Sequence, residues 1–145
     1  MKNVGPRANI LKTSEKLRNS LEAAGSRLQY PSAHVLFRED GHADGVFLVC
    51  RGKVRMSVKN LPKLNRDFGE GSLLGLPSSF TGHPYSLTAV TLAESEILHV
   101  PRTQFLVLMR EQPDLCREAT DMLGREVTFI QSALAQRRRQ LAAVL

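Results

Sequence analysis

The sequence predicts a mainly β fold, an antiparallel sandwich or roll, with one short helix before it and two helices after it. Between about residues 27 and 100, short stretches alternate polar and apolar residues, and glycine-bearing turns join them. Before residue 25 and after residue 101 the apolar spacing is that of helices. Hydrophobic residues make up 42% of the 145 residues, which is enough for the core of one domain.

The first part of the chain predicts a loose end followed by a helix. Residues 1–13 are expected to be loosely ordered. A helix over about residues 14–24 places Leu17 and Leu21 on one face, and Gly25 can end it. Because this helix is short and amphipathic, we expect it to pack on a larger body.

The strands are expected where period-two stretches lie between turns. The stretch 39–45 is a polar turn with two glycines, and Arg51-Gly52 is a tight turn. The predicted strands cover residues 27–30, 34–38, 46–50, 53–58, 66–68, 86–91 and 96–100.

Residues 71–89, hereafter the cassette, separate two runs of strands and are nearly uncharged. Pro77 can open one short helical turn over residues 78–80. The start of such a turn leaves N–H groups that could bind an anion. The alternative is a buried loop whose serines cap their own backbone.

The last part of the chain is helical. One helix covers about residues 103–110, and a long one covers 113–145. The long helix carries apolar residues at alternating steps of four and three, which either lie along the roll or pair with a second copy. We favour a homodimer, interrupted near residues 137–139 by three arginines, with an interface at Leu123, Val127, Ile130 and Leu134.

Composition limits the function classes. The net charge of +6 is concentrated at the two ends of the chain, where it is more typical of solvated helix faces than of a nucleic-acid site. Cys50 and Cys116 are too few for a disulfide framework or a zinc cluster. No apolar run is long enough for a membrane span and no secretory signal is present, so we expect a cytoplasmic protein away from membranes.

The order of these elements resembles the cyclic-nucleotide-binding domain of the bacterial catabolite activator/FNR-like (Crp/Fnr) regulators. The likeness covers about residues 14–138 and rests on stretches 35–41, 43–49 and 52–55, on Gly71, Gly75 and Phe80, and on Pro101-Arg102. It implies a jelly-roll-type β-roll over residues 14–112 with a phosphate cassette inside. It also implies that the helix 113–145 dimerises and covers a ligand pocket.

The same resemblance exposes three departures. Nucleotide-binding members place a Glu, which holds the ribose, at the position of Leu76, and an Arg, which holds the phosphate, at Tyr85 or Ser86. Ile130-Gln131 stands where the long helix of the activator presents Thr-Ser to the base. Since neither Tyr nor Ser supplies a cation, tight cyclic AMP binding by the usual mode is not expected.

The resemblance also predicts which partners and cofactors to expect. The chain lacks the cysteines that hold an iron–sulfur cluster in FNR, and only a few residues follow Arg139, too few for a helix-turn-helix. We therefore expect either a stand-alone sensor module or the sensor part of a transcription regulator that lacks its DNA-binding domain. In both cases we expect no resident cofactor or metal.

The candidate ligand site takes residues from the cassette and the long helix. We expect it to accept an unidentified small-molecule effector that is less charged and more apolar than a cyclic nucleotide. Its residues are Leu74, Gly75, Leu76, Ser78, Ser79, Tyr85, Ser86, Thr88, Val127 and Ile130.

Two other functions compete with sensing. A metalloenzyme of the cupin type would need clustered metal ligands, whereas His34, His42, His83 and His99 are isolated in the sequence, so we expect no enzyme and no haem site. The other is a structural dimerisation or partner-binding module with no ligand.

Overall fold

Two four-stranded antiparallel sheets face each other and form a roll, in a computed structural model that describes residues 11–144. The strand orders are β1-β8-β3-β6 and β2-β7-β4-β5. This confirms the predicted fold class. The elements are α1 (Glu15–Ala24), β1 (Ser26–Tyr30), β2 (Val35–Phe37), β3 (Gly45–Arg51), β4 (Val54–Ser57), β5 (Arg66–Phe68), β6 (Leu73–Leu74), α2 (Leu76–Thr81), β7 (Thr88–Thr91), β8 (Ser95–Pro101), α3 (Arg102–Glu111) and α4 (Pro113–Val144).

Alternation in the strands places the core between the sheets. Central strand β3 pairs with β8 from Gly45↔Pro101 onward and with β6 through Phe47↔Leu74. Its residues 45–49 are all buried, as expected for a strand covered on both faces. In the second sheet, β4 alternates buried Val54 and Met56 with exposed Arg55.

The residues directly before α1 are ordered against the roll, which corrects the expected loose segment at its C-terminal end. Leu11 is fully buried, and its carbonyl accepts a hydrogen bond from Leu73 N. Thr13 donates to Gly71 O from both its backbone N–H and its hydroxyl. The sequence pattern missed this contact because a short extended segment has no periodicity of its own. Residues 1–10 of that expectation lie outside the described residues.

Helix α1 is fastened to the start of α4. Ser14 caps α1 by accepting from Leu17 N, and its own N–H and hydroxyl donate to the two carboxylate oxygens of Glu118, at 2.7 and 2.6 Å. Lys16 forms an ion pair with Asp114. The first two turns of α4 are therefore held by α1.

Helix α4 buries a stripe adjacent to the predicted heptad seam. Its buried residues are Leu115, Ala119, Met122 and Glu126, which follow the same four-three spacing one position earlier. One residue is about 100° around a helix, so the two stripes lie side by side. The predicted interface residue Val127 is 37% exposed, whereas Leu123 and Ile130 are partly buried against the core.

We expect Leu11→Ala to lower the free energy of unfolding by about 2–4 kcal/mol, because it leaves a cavity in place of a fully buried side chain. Chemical denaturation measures this. Leu28→Ala is the matched control, since Leu28 is 55% exposed and its truncation should change stability by less than about 0.5 kcal/mol. Equal effects of the two substitutions would contradict the docking of residues 11–13.

Candidate functional site

The cassette is a short helix between two glycines in the left-handed conformation. Gly75 (φ 92°) precedes α2 and Gly82 (φ 80°) ends it, donating to Ser78 O at 2.7 Å. Pro77 lies in the first turn, as its preset φ favours. Leu74, just before the helix, and Leu76, its first residue, are fully buried. The expected three-residue turn is thus a six-residue helix seated on the core.

Tyr85 closes the loop after α2 and is fixed by backbone groups. Its hydroxyl donates to Gly45 O at 2.8 Å and accepts from Asp44 N and Gly45 N at 3.0 and 3.1 Å. Its ring stacks on Phe37 with centroids 4.1 Å apart. Burial raises the pKa of the Tyr85 hydroxyl. At this position, therefore, the cassette holds an anchored neutral ring and no cation.

A narrow cavity lies between the cassette, the β2-β7-β4-β5 sheet and α4. Its volume is about 10 Å³, room for roughly one water molecule. Four of the predicted site residues line this cavity: Gly75, Ser78, Tyr85 and Ser86. The rest of the lining, which the sequence did not indicate, is Phe37, Met56, Pro77, Leu87 and Glu126.

Glu126 is the cavity residue supplied by α4. It is 1% exposed, and its Oε1 has no hydrogen-bond partner. Burial raises the pKa of its carboxyl to about 7, although the positive charge of Arg66 on β5 opposes the shift. The Arg66 guanidinium lies 3.5 Å from the ring centroid of Phe129, one turn along α4, and 5.1 Å from that of Phe68.

The other predicted site residues lie around this cavity without lining it. Ser79 is fully buried with an unpartnered hydroxyl, and Arg102 Nε donates to its carbonyl at 2.9 Å. Thr88 accepts from Glu39 N at 2.9 Å. Val127 and Ile130, which the sequence placed over the pocket, are absent from the lining; Glu126 takes that position. The buried stripe of α4 lies one residue before the predicted heptad seam, so Glu126 and not Val127 reaches the cavity.

The histidines make contacts typical of structural residues. The His99 ring stacks on Phe47 and its Nε2 lies 3.0 Å from Asp44 O, while the His34 ring stacks on Tyr30. Within residues 11–144, no group of three or more His, Cys, Asp or Glu residues could hold a metal ion. No helix in that part of the chain is long and apolar enough to cross a membrane.

One signal in the sequence could have found Glu126. Leu115, Ala119 and Met122 follow four-three spacing, and the next step reaches an acid. A Glu on a helix is normally assigned to the solvent face, so the sequence pattern favours Val127. No comparable signal points to Arg66, since its nearness to α4 depends on how the sheet and helix pack.

With this geometry established, comparison with known proteins identifies the family. Residues 27–112, more than half of the chain, match the model of the cyclic nucleotide-binding domain. The chain belongs to this family. The match covers the roll from β1 through α3, including the cassette, and confirms the resemblance inferred from the sequence.

Relatives of this cyclic nucleotide-binding domain include regulators and larger enzymes. The cyclic AMP receptor protein of Thermus thermophilus is 28% identical over 104 residues, 70% of this chain and 48% of that protein. Lysophospholipase NTE1 of Kluyveromyces lactis is 27% identical over 132 residues, 83% of this chain but 9% of that protein. The chain thus spans less than half the length of either relative.

A solved structure shows the same fold. The Thermus thermophilus catabolite activator protein superposes with a TM-score of 0.72 and 23% identity, covering 89% of this chain and 62% of that one.

We expect Tyr85→Phe to lower the free energy of unfolding by about 2–3 kcal/mol, because it removes the hydroxyl that pairs with the partly buried N–H of Asp44 and with the buried N–H and carbonyl of Gly45. Thermal and chemical unfolding measure the change. Tyr30→Phe, on an exposed strand, is the control and should change stability by less than about 0.5 kcal/mol. If Tyr85→Phe leaves the free energy of unfolding unchanged, this hydroxyl does not anchor the loop.

Proposed function

We propose that this cyclic nucleotide-binding domain is a regulatory sensor module of the Crp/Fnr type, in which an effector in the roll changes the position of α4 in a homodimer. The observation that carries the proposal is the geometry of α4. One stripe of the helix inserts Met122 and Glu126 among buried residues of the roll, and the adjacent stripe exposes Val127. A shift of the helix at the cassette would therefore also shift the face available to a second subunit.

An effector would need more room than the cassette now has. Small-molecule sites usually measure about 300–1,000 Å³, whereas the present cavity is near 10 Å³. Glu126 is the lining residue whose displacement would join the cavity to the space beneath α4. Effector binding and movement of α4 would then be one event, and an effector would favour the displaced state only by binding it more tightly.

The effector is proposed to differ from cyclic nucleotides held by the usual contacts. Leu76 is fully buried and Tyr85 is bonded to the backbone, so neither can hold a ribose hydroxyl or a phosphate charge. When its carboxyl is ionised, Glu126 in the cavity wall would repel a phosphate. These features favour an uncharged effector that carries a hydrogen-bond donor.

A thermal-shift screen separates sensing from its alternative. Cyclic AMP and cyclic GMP at about 1 mM should leave the unfolding temperature unchanged, because a ligand adds stability only when its concentration exceeds its Kd. At least one uncharged compound with a donor group should raise that temperature reproducibly. A clear rise with cyclic AMP would overturn the proposed change of specificity.

The second candidate is a structural dimerisation or partner-binding module without an effector, favoured by the nearly filled cavity. The same screen tests it. No response to nucleotides, small anions, apolar acids or uncharged donors would favour this candidate over sensing.

The homodimer has its own test. We expect Val127→Asp to raise the dimer dissociation constant roughly a hundredfold, because burying an unpaired charge costs about 3 kcal/mol or more. Sedimentation equilibrium measures the mass. Ser132→Asp is the control: it adds the same charge at an exposed site about 140° around α4 from Val127, and should leave the mass unchanged. A Val127→Asp protein that stays dimeric would exclude this face as the interface.

A further inference from the structure

Helix α4 is held to the roll in two different ways along its length. Its first two turns are tied to α1 by Glu118 and Asp114, through contacts exposed to solvent. Two turns beyond Glu118, Glu126 enters the cavity wall and is almost completely buried. Beyond Ile130, the described side chains of α4 are exposed or only partly buried. The contact at Glu126 therefore comes near the end of the docked part of the helix.

The surroundings of Glu126 fit a neutral carboxyl better than an ionised one. The cavity wall is apolar at Phe37, Met56 and Leu87, polar but uncharged at Ser78, Tyr85 and Ser86, and Oε1 accepts no hydrogen bond. Two titratable groups face it from other elements: Arg66 from β5 and Tyr85 from the loop after α2. The Tyr85 hydroxyl is already committed to Asp44 and Gly45, and Arg66 packs on Phe129.

We propose that Glu126 is a proton-controlled latch, which holds the middle of α4 against the cassette while its carboxyl carries a proton and releases it when that proton passes to solvent. An ionised carboxylate that is buried with an oxygen lacking a hydrogen bond costs several kcal/mol, and it avoids this cost by moving to water. Movement of Glu126 outward requires the α4 segment around residues 122–130 to leave the cassette. The latch depends on the contact between α4 and the cassette, and on no particular effector.

The sign of the pH effect follows from the two protonation equilibria. The released carboxyl titrates near its ordinary pKa of 4.5, whereas burial raises the pKa of the docked carboxyl to about 7. The docked state thus binds the proton more tightly. Its advantage is complete below pH 4.5, is lost as the pH rises, and levels off above about pH 7.

Hydrogen exchange of the full chain tests the latch. Backbone amides of residues 122–130 are followed from about pH 5 to about pH 8 in wild type and in Glu126→Gln, and the ratio of the two rates at each pH removes the intrinsic pH dependence of exchange. The ratio should rise by at least about tenfold up to about pH 7 and then remain constant. A ratio that does not change with pH would overturn the proposal.

Two controls localise the effect. Asp121→Asn removes the same charge from an exposed site on α4 and should keep the wild-type profile. Amides of β3 (Gly45–Arg51) serve as the internal reference, and their rates should not follow those of α4. If β3 accelerates in parallel, Glu126 controls global unfolding and the latch is excluded. Neither result depends on an effector.

Two further variants cover other outcomes. If Glu126→Gln does not fold, Glu126→Met supplies a neutral side chain of similar length for the same ratio. Arg66→Met removes the positive charge that opposes the pKa shift, so α4 exchange should continue to rise with pH beyond the wild-type plateau. A loss of packing on Phe129 alone would increase exchange at every pH and leave the plateau in place, which would contradict the latch.

Discussion

The packing of the long helix on the roll buries the Glu126 carboxyl, which is 1% exposed, and this burial is the main electrostatic constraint on their contact. The carboxyl enters a cavity about the size of one water molecule, between the cassette and α4. An ionised acid in such a place has a high free energy, and a neutral one is tolerated. The rotation of α4, the closed cavity and the raised pKa of this carboxyl are consequences of the same packing. Whatever alters the charge or position of Glu126 acts on all three.

The rotation of α4 connects this acid with the proposed interface. Glu126 and Val127 are neighbours in the chain, but one is buried in the cavity wall and the other is partly exposed. A helix of 32 residues is about 48 Å long, more than the roll alone can cover. Because α1 holds the start of α4, a displacement at residue 126 would require α4 to bend or to rotate about that end.

The sequence predicted the architecture well because strand and helix periodicities are local. It also located the cassette, since its glycines, proline and lack of charge are visible without a structure. It did not predict the six-residue length of α2, because helix length there depends on how the segment packs on the core through buried Leu74 and Leu76. It did not show that Glu126, one position before Val127, lines the cavity, because a heptad pattern leaves the rotation of a helix undetermined within one residue.

The charges of the cassette were harder to predict than its shape. Leu76 and Tyr85 can be read directly from the sequence. The sequence could not show that the Tyr85 hydroxyl is hydrogen-bonded to the backbone of Asp44 and Gly45. Nor could it show that an acid and a cation approach the site from α4 and β5. The charges near the cavity that the structure does place are the buried carboxyl of Glu126 on α4 and the guanidinium of Arg66 on β5. If α4 moves as proposed, a pocket whose acid comes from that helix would respond to protons and to hydrogen-bond donors, which is a different selectivity from that of a fixed arginine.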